Sequence, residues 1–141
     1  MPAIYLPKGT DTFIFARRLA AANRGRLSHN GFLRVASPER LVIPRGLFQE
    51  CFPGLEGAAA AARWGALLQR RTGHVARFSP EVIELVDHDP ADAPLSTTLT
   101  SGEHDDLRAW AERLGVPQDE LLRAAVRAYL DDLGRHAQRP R

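Results

Sequence analysis

Apolar and polar positions change rhythm along the chain: short stretches of period two dominate the first 86 residues, and a helical period dominates the last third. In Leu95-Ser96-Thr97-Thr98-Leu99, alternation sets Leu95, Thr97 and Leu99 on one face of a short strand and Ser96 and Thr98 on the other. Thr100 and Glu103 have the spacing of a capping box, which predicts a helix start there. That helix carries Leu107, Trp110, Ala111 and Leu114 on one stripe, and Gly115 can close it in the left-handed conformation. Pro117 or Gln118 opens a second helix whose inward residues are Leu121, Leu122, Ala125, Val126, Tyr129 and Leu130, ending at Gly134. A strand and two helices of this size cannot hide these side chains alone. The expectation is a homodimer that buries them all, from Leu95 to Tyr129, between two copies.

The front of the chain predicts a small α+β region of three or four strands and three helices. Ala3–Leu6 is a short strand closed by Pro7 and Gly9, and Thr10 or Asp11 can cap a helix carrying Phe13, Ala16, Leu19 and Ala20. Asn30-Gly31 between Leu27-Ser28-His29 and Phe32-Leu33-Arg34-Val35 is the strongest hairpin signal, a turn in which both positions need positive φ. Arg40–Ile43 follows as a strand, and Pro44 suits the first position of a short helix through Leu47, Phe48, Cys51 and Phe52. Residues 55–71 predict a longer helix, and His74–Phe78 a strand. In Ser79–Val86 a helix-start signal competes with strand-forming Val82, Ile83 and Val86, so both assignments stand.

An acidic, proline-punctuated stretch, residues 87–94, reads as a linker. The organisation expected is therefore a basic α+β domain over 1–86, the linker, a C-terminal module over 95–134 and a tail over 135–141. The net charge of +2 conceals this division. Residues 1–86 hold twelve cations and six acids, whereas residues 87–141 hold seven arginines and eleven acids. A polyanion would favour the front. No apolar run approaches the roughly 20 residues of a membrane helix, and the first residues lack a signal-peptide pattern, so no membrane association and a cytoplasmic location are expected.

Candidate chemistry is sparse. One cysteine, Cys51, excludes an internal disulfide framework or multi-cysteine zinc site, and its place between Phe48 and Phe52 reads as a buried thiol. His29, His74, His88, His104 and His136 are scattered without metal-ligand spacing, so neither a metal nor another cofactor is expected. No phosphate loop or nucleophile motif occurs, which argues against an enzyme. Trp64 and Trp110 lie at apolar helical spacing and read as core. The remaining signal is arginine: Arg17-Arg18, Arg24 with Arg26, Arg70-Arg71, and Arg34 and Arg40 flanking the hairpin strand. These eight are candidate phosphate contacts, or simply a solvated face.

Over about residues 94–132, the order strand, helix, Leu114-Gly115-Val116 turn and helix, with Tyr129 late in the second helix, resembles the ribbon-helix-helix (Arc/MetJ-type) family of dimeric DNA-binding proteins. The resemblance implies two antiparallel strands in the major groove of double-stranded DNA, with Ser96 and Thr98 at base edges, and a role in transcription regulation. Pro94 stands where that family often has Arg or Lys, and Asp119 and Glu120 bring negative charge to its phosphate anchor at the second helix. Two other expectations stay open. In one, the tail serves for dimerisation alone while the basic front binds nucleic acid without sequence preference, in a nucleoid or DNA-repair role. Alternatively the protein grips a partner protein, as an antitoxin grips a toxin.

Overall fold

The computed structural model describes residues 1–89 and 99–138, with side chains as far as Arg135. Along the chain run β1 (Ala3–Leu6), α1 (Thr10–Ala22), β2 (Arg26–Asn30), β3 (Phe32–Ala36), β4 (Arg40–Pro44), α2 (Arg45–Cys51), α3 (Gly57–Ala66), β5 (Arg71–Thr72), β6 (His74–Phe78), β7 (Val82–Val86), α4 (Ser101–Leu114) and α5 (Gln118–Gln138). The fold is α+β. Its strands form two antiparallel sheets, ordered β2-β3-β1-β5 and β4-β7-β6.

Alternation explains the first sheet. Ile4, Leu6, Leu33 and Val35 point to one face and are buried with Phe15, Ala16 and Leu19 of α1. The hairpin forms where expected, but only Gly31 takes a positive φ, of 79°, because pairing runs up to Asn30 opposite Phe32 and keeps Asn30 extended. The helix expected over 55–71 ends at Ala66. Successive i to i−3 backbone bonds from Leu67, Leu68 and Gln69 tighten its end, Leu67 and Leu68 turn into the core, and Arg71–Thr72 leaves as a strand on β1. Residues 82–86 resolve as a strand. The Ser79 hydroxyl accepts from the Glu81 and Val82 amides, making a turn of what had looked like a helix start. Further strand content beyond the expected three or four arises from β5 and from this second half of a β6–β7 hairpin.

The tail is docked on the front of the same chain. Glu120, Leu121, Ala124 and Ala128 form the buried face of α5, and Leu114, Val116, Leu121 and Ala124 belong to the same apolar cluster as Ile4 and Ile83. Polar contacts secure the seam: the Val75 amide donates to Glu120 Oε1 at 2.8 Å, His74 Nδ1 lies 3.3 Å from the same oxygen, and Arg77 of β6 pairs with Asp131. Arg127 donates to the Ala76 carbonyl. Ala111, Leu114 and Leu121, expected in a dimer core, are thus covered by the chain's own front region.

Both predicted tail helices form. Thr100 and Glu103 close the capping box reciprocally, and Gly115 is left-handed at φ 67°. The strand that should precede them falls outside the described residues, apart from half-buried Leu99; so do Pro94, Leu95, Ser96, Thr97 and Thr98. Leu122 and Leu107 are half-buried. Trp110, Val126, Tyr129 and Leu130 are exposed, with Tyr129 63% and Leu130 60% accessible, and Ala125 is exposed beside them. The apolar residues of α5 exceed one stripe: Leu121, Ala124 and Ala128 are spent on the chain's own core. Leu122, Val126, Tyr129, Leu130 and Leu133 make a second stripe toward solvent.

Candidate nucleic-acid interface

Among the described residues no helix packs on the face of the first sheet opposite α1. Register brings Ser28, Arg34 and Tyr5 into one cross-strand row, and Asn30 and Phe32 into the next. Toward the other end of the sheet, Ala3 and Ala36 are fully buried, so the open area is the half nearer the hairpin turn. There Phe32 is 43% accessible, Ser28 and Asn30 are exposed, and Tyr5 and Arg34 are half-buried; Thr72, paired with Ala3 on the edge strand, is exposed as well.

The groups on this face are already oriented by one another. Arg34 Nε donates to the Tyr5 hydroxyl at 3.3 Å while its guanidinium carbon lies 5.9 Å from the Tyr5 ring centre. The same hydroxyl is 3.2 Å from Thr72 Oγ1. The hydrogen bond with Thr72, and then that from Arg34, hold the Tyr5 phenol below the ordinary tyrosine pKa. Arg70, from the turn before β5, lies 4.7 Å above the Phe32 ring. Among the described residues, Arg26, Arg34 and Arg70 have no carboxylate partner. The face therefore joins aromatic surface to positive charge that no acid among the described residues neutralises.

The eight arginines singled out from the sequence separate into three groups. Arg34 and Arg70 lie on or beside this face, and Arg26 sits at the far end of the same sheet, opposite buried Ala36. Arg17 and Arg24 are exposed elsewhere, Arg24 at a positive φ of 52° where α1 ends. Arg18, Arg40 and Arg71 are engaged within the fold. Arg18 pairs with Glu50 at 2.5 Å, Arg40 with buried Glu84 at 3.2 Å, and Arg71 donates to the Leu68 and Gly115 carbonyls. Burial pushes the Arg71 guanidinium below the ordinary arginine pKa. Glu84 also accepts from Arg77, which continues to Asp131, so this chain of charges ties β4, β7 and β6 to α5.

Tyr5, Phe32 and Arg63 were not among the residues expected at a site. The available signal was the alternation Phe32-Leu33-Arg34-Val35: once Leu33 and Val35 are core, Phe32 and Arg34 must share the other face. Trp64 is buried and donates Nε1 to the Ser79 carbonyl, as a core tryptophan should. Trp110 is 44% accessible, with Arg113 4.8 Å above its ring. Cys51 is buried, as expected.

Beside the open face a cavity of about 410 Å³ runs between the end of β1 and helices α2 and α3. Phe32, Phe48, Phe52, Arg63, Gln69 and Arg70 are among its walls. Among the described residues no cluster of histidine, cysteine or acidic side chains could hold a metal ion, and no helix is long and apolar enough to cross a membrane. No family model, curated protein or solved structure matches the chain.

Proposed function

We propose that the protein is a homodimer that binds single-stranded nucleic acid on the open face of the β2-β3-β1-β5 sheet. The observation that carries this reading is the meeting of Tyr5, Phe32, Arg34 and Arg70 on one open sheet face, with no acid opposing the arginines among the described residues. A strand laid across it would stack bases on Phe32 and Tyr5 and set phosphates against Arg34 and Arg70. Base–aromatic stacking contributes about 1–3 kcal/mol per base, and it requires bases whose faces are free, which a duplex does not offer. Such binding tolerates many sequences, in keeping with a nucleoid or repair role. Pairing of two copies through the exposed stripe of α5 would double the footprint.

A second reading is favoured by the tail: its capping box, left-handed Gly115 and exposed apolar stripe match the helix pair of a ribbon-helix-helix dimer. In it, two copies of residues 95–99 enter the major groove, Ser96 and Thr98 read base edges, and the protein regulates transcription. Asp119, 71% exposed in the first turn of α5, sets negative charge where that family holds phosphate.

Fluorescence anisotropy of the full chain against labelled dT20 and a duplex from its own upstream region, over a salt series, separates the readings. Tight, salt-sensitive binding to dT20, weakened about tenfold by Phe32→Ala or Arg34→Ala and untouched by a Ser96→Ala/Thr98→Ala pair, is the result expected. Preference for the duplex, abolished by the Ser96/Thr98 pair alone, would establish the ribbon instead. Failure to bind either would sink both readings and favour a partner protein.

A further inference from the structure

We infer that the cavity between β1 and α3 is a subsite for one nucleoside monophosphate unit: a planar base held against phenylalanine rings, with its phosphate on Arg63 and Arg70. The inference rests on the reading of the adjacent sheet face as a single-strand platform. Its first support is chemical. Phe48 and Phe52 have ring centres 5.1 Å apart and are themselves packed against Phe15 and Trp64, so the apolar wall is rigid.

The second support is electrostatic. The Arg63 guanidinium carbon lies 5.3 Å from the Phe52 ring centre and that of Arg70 lies 4.7 Å from Phe32. Among the described residues no aspartate or glutamate lines the cavity, and neither arginine has a carboxylate partner. Two guanidinium groups beside aromatic walls, with no acid, call for a ligand that is both flat and anionic. Gln69 adds hydrogen-bonding capacity: its Nε2 donates to the Arg113 carbonyl, leaving the amide oxygen for a base N–H.

Size and position complete the case. At about 410 Å³ the cavity lies in the roughly 300–1,000 Å³ range of small-molecule sites. Tyr5, Phe32 and Arg70 belong to both the open sheet face and the cavity wall, so the two surfaces are continuous. That continuity singles out a nucleotide among flat anions. Two sources share this chemistry: a nucleotide free in solution and one residue of a bound strand.

Both sources are tested with 2-aminopurine, whose fluorescence falls when the base is buried against aromatic rings. The full-length protein is titrated with 2-aminopurine riboside 5′-monophosphate, and separately with dT20 carrying one 2-aminopurine at an end or at an internal position. Saturable quenching of the mononucleotide is expected, weakened about tenfold or more by Arg63→Ala, a change to an exposed side chain. Ala66→Phe, which fills the cavity, should abolish it, with circular dichroism confirming a folded chain. Quenching within dT20 that is lost in both variants would assign the strand as the source. Quenching of the mononucleotide alone would assign the free nucleotide. Absence of quenching in both titrations would overturn the subsite, and anisotropy of the same dT20 sample reports independently whether the sheet platform binds.

Discussion

At Tyr5 two hydrogen bonds converge on one phenol oxygen, from the sides of Thr72 and Arg34, and both favour the deprotonated form. Spectrophotometric titration at 295 nm should therefore find one tyrosine below the ordinary value, and Arg34→Met should move it back up. The sign follows from linkage: a depressed folded pKa adds stability that is complete above the unfolded value near 10 and is lost as pH falls through the folded value. At neutral pH the pair orients the ring without altering stability through titration. The other arginines show how little residue type reveals. Arg34, Arg40 and Arg71 are equivalent in a charge count. Arg40 neutralises buried Glu84, and Arg71 clasps the α3 end to the α4–α5 turn, while Arg34 stays on the open face. Strand alternation could place Arg34 opposite the core; no local pattern could have shown that Arg40 and Arg71 would meet partners more than forty positions away.

The helix α4 is the element most fully written in local sequence. Thr100 Oγ1 accepts from the Glu103 amide at 3.2 Å, and Glu103 Oε1 accepts from the Thr100 amide at 2.9 Å. Hydrogen bonds to the carboxylate, first from the Thr100 amide and then from the Thr100 side chain, depress the Glu103 pKa. Their contribution is present above the unfolded value near 4.5 and is lost as pH falls through the lower folded one. Thr100→Ala should cost about 1 kcal/mol in urea unfolding at pH 7, and less at a pH below the folded pKa of Glu103, where the carboxyl is already neutral. A loss independent of pH would mean that only the Thr100 side of the box matters. The α3 helix illustrates the opposite case. Its period continues through Leu67 and Leu68, yet the helix stops because those two leucines are needed in the core and the next residues pair with β1.

At the scale of the molecule, α5 carries two apolar stripes. One closes the chain's own second sheet, with Glu120 buried to receive the Val75 amide. The other, from Leu122 through Val126 and Tyr129 to Leu130 and Leu133, meets solvent. If it joins two copies as proposed, Leu130→Glu should turn a dimer into a monomer in sedimentation equilibrium without lowering the helix content, because Leu130 makes no part of the monomer's core. A dimer that survives the change would exclude this stripe from the interface. Loss of the dimer should also weaken dT20 binding while leaving the sheet face intact, separating footprint from chemistry.

Periodicity, turn chemistry and caps are local properties, and they were enough to reveal the α+β character, the Asn30-Gly31 hairpin, β1, β4 and β6, the paired tail helices and their left-handed Gly115. They also fixed which residues of β3 share a face. Long-range packing decided the rest. Which stripe of α5 turns inward depends on the sheet it meets. Which arginines remain unpaired depends on where Glu50, Glu84 and the Leu68 and Gly115 carbonyls come to lie. The uncovered sheet face and its adjoining cavity exist because α1 takes one side only, and burial is a property of the assembled chain that no short stretch of sequence contains.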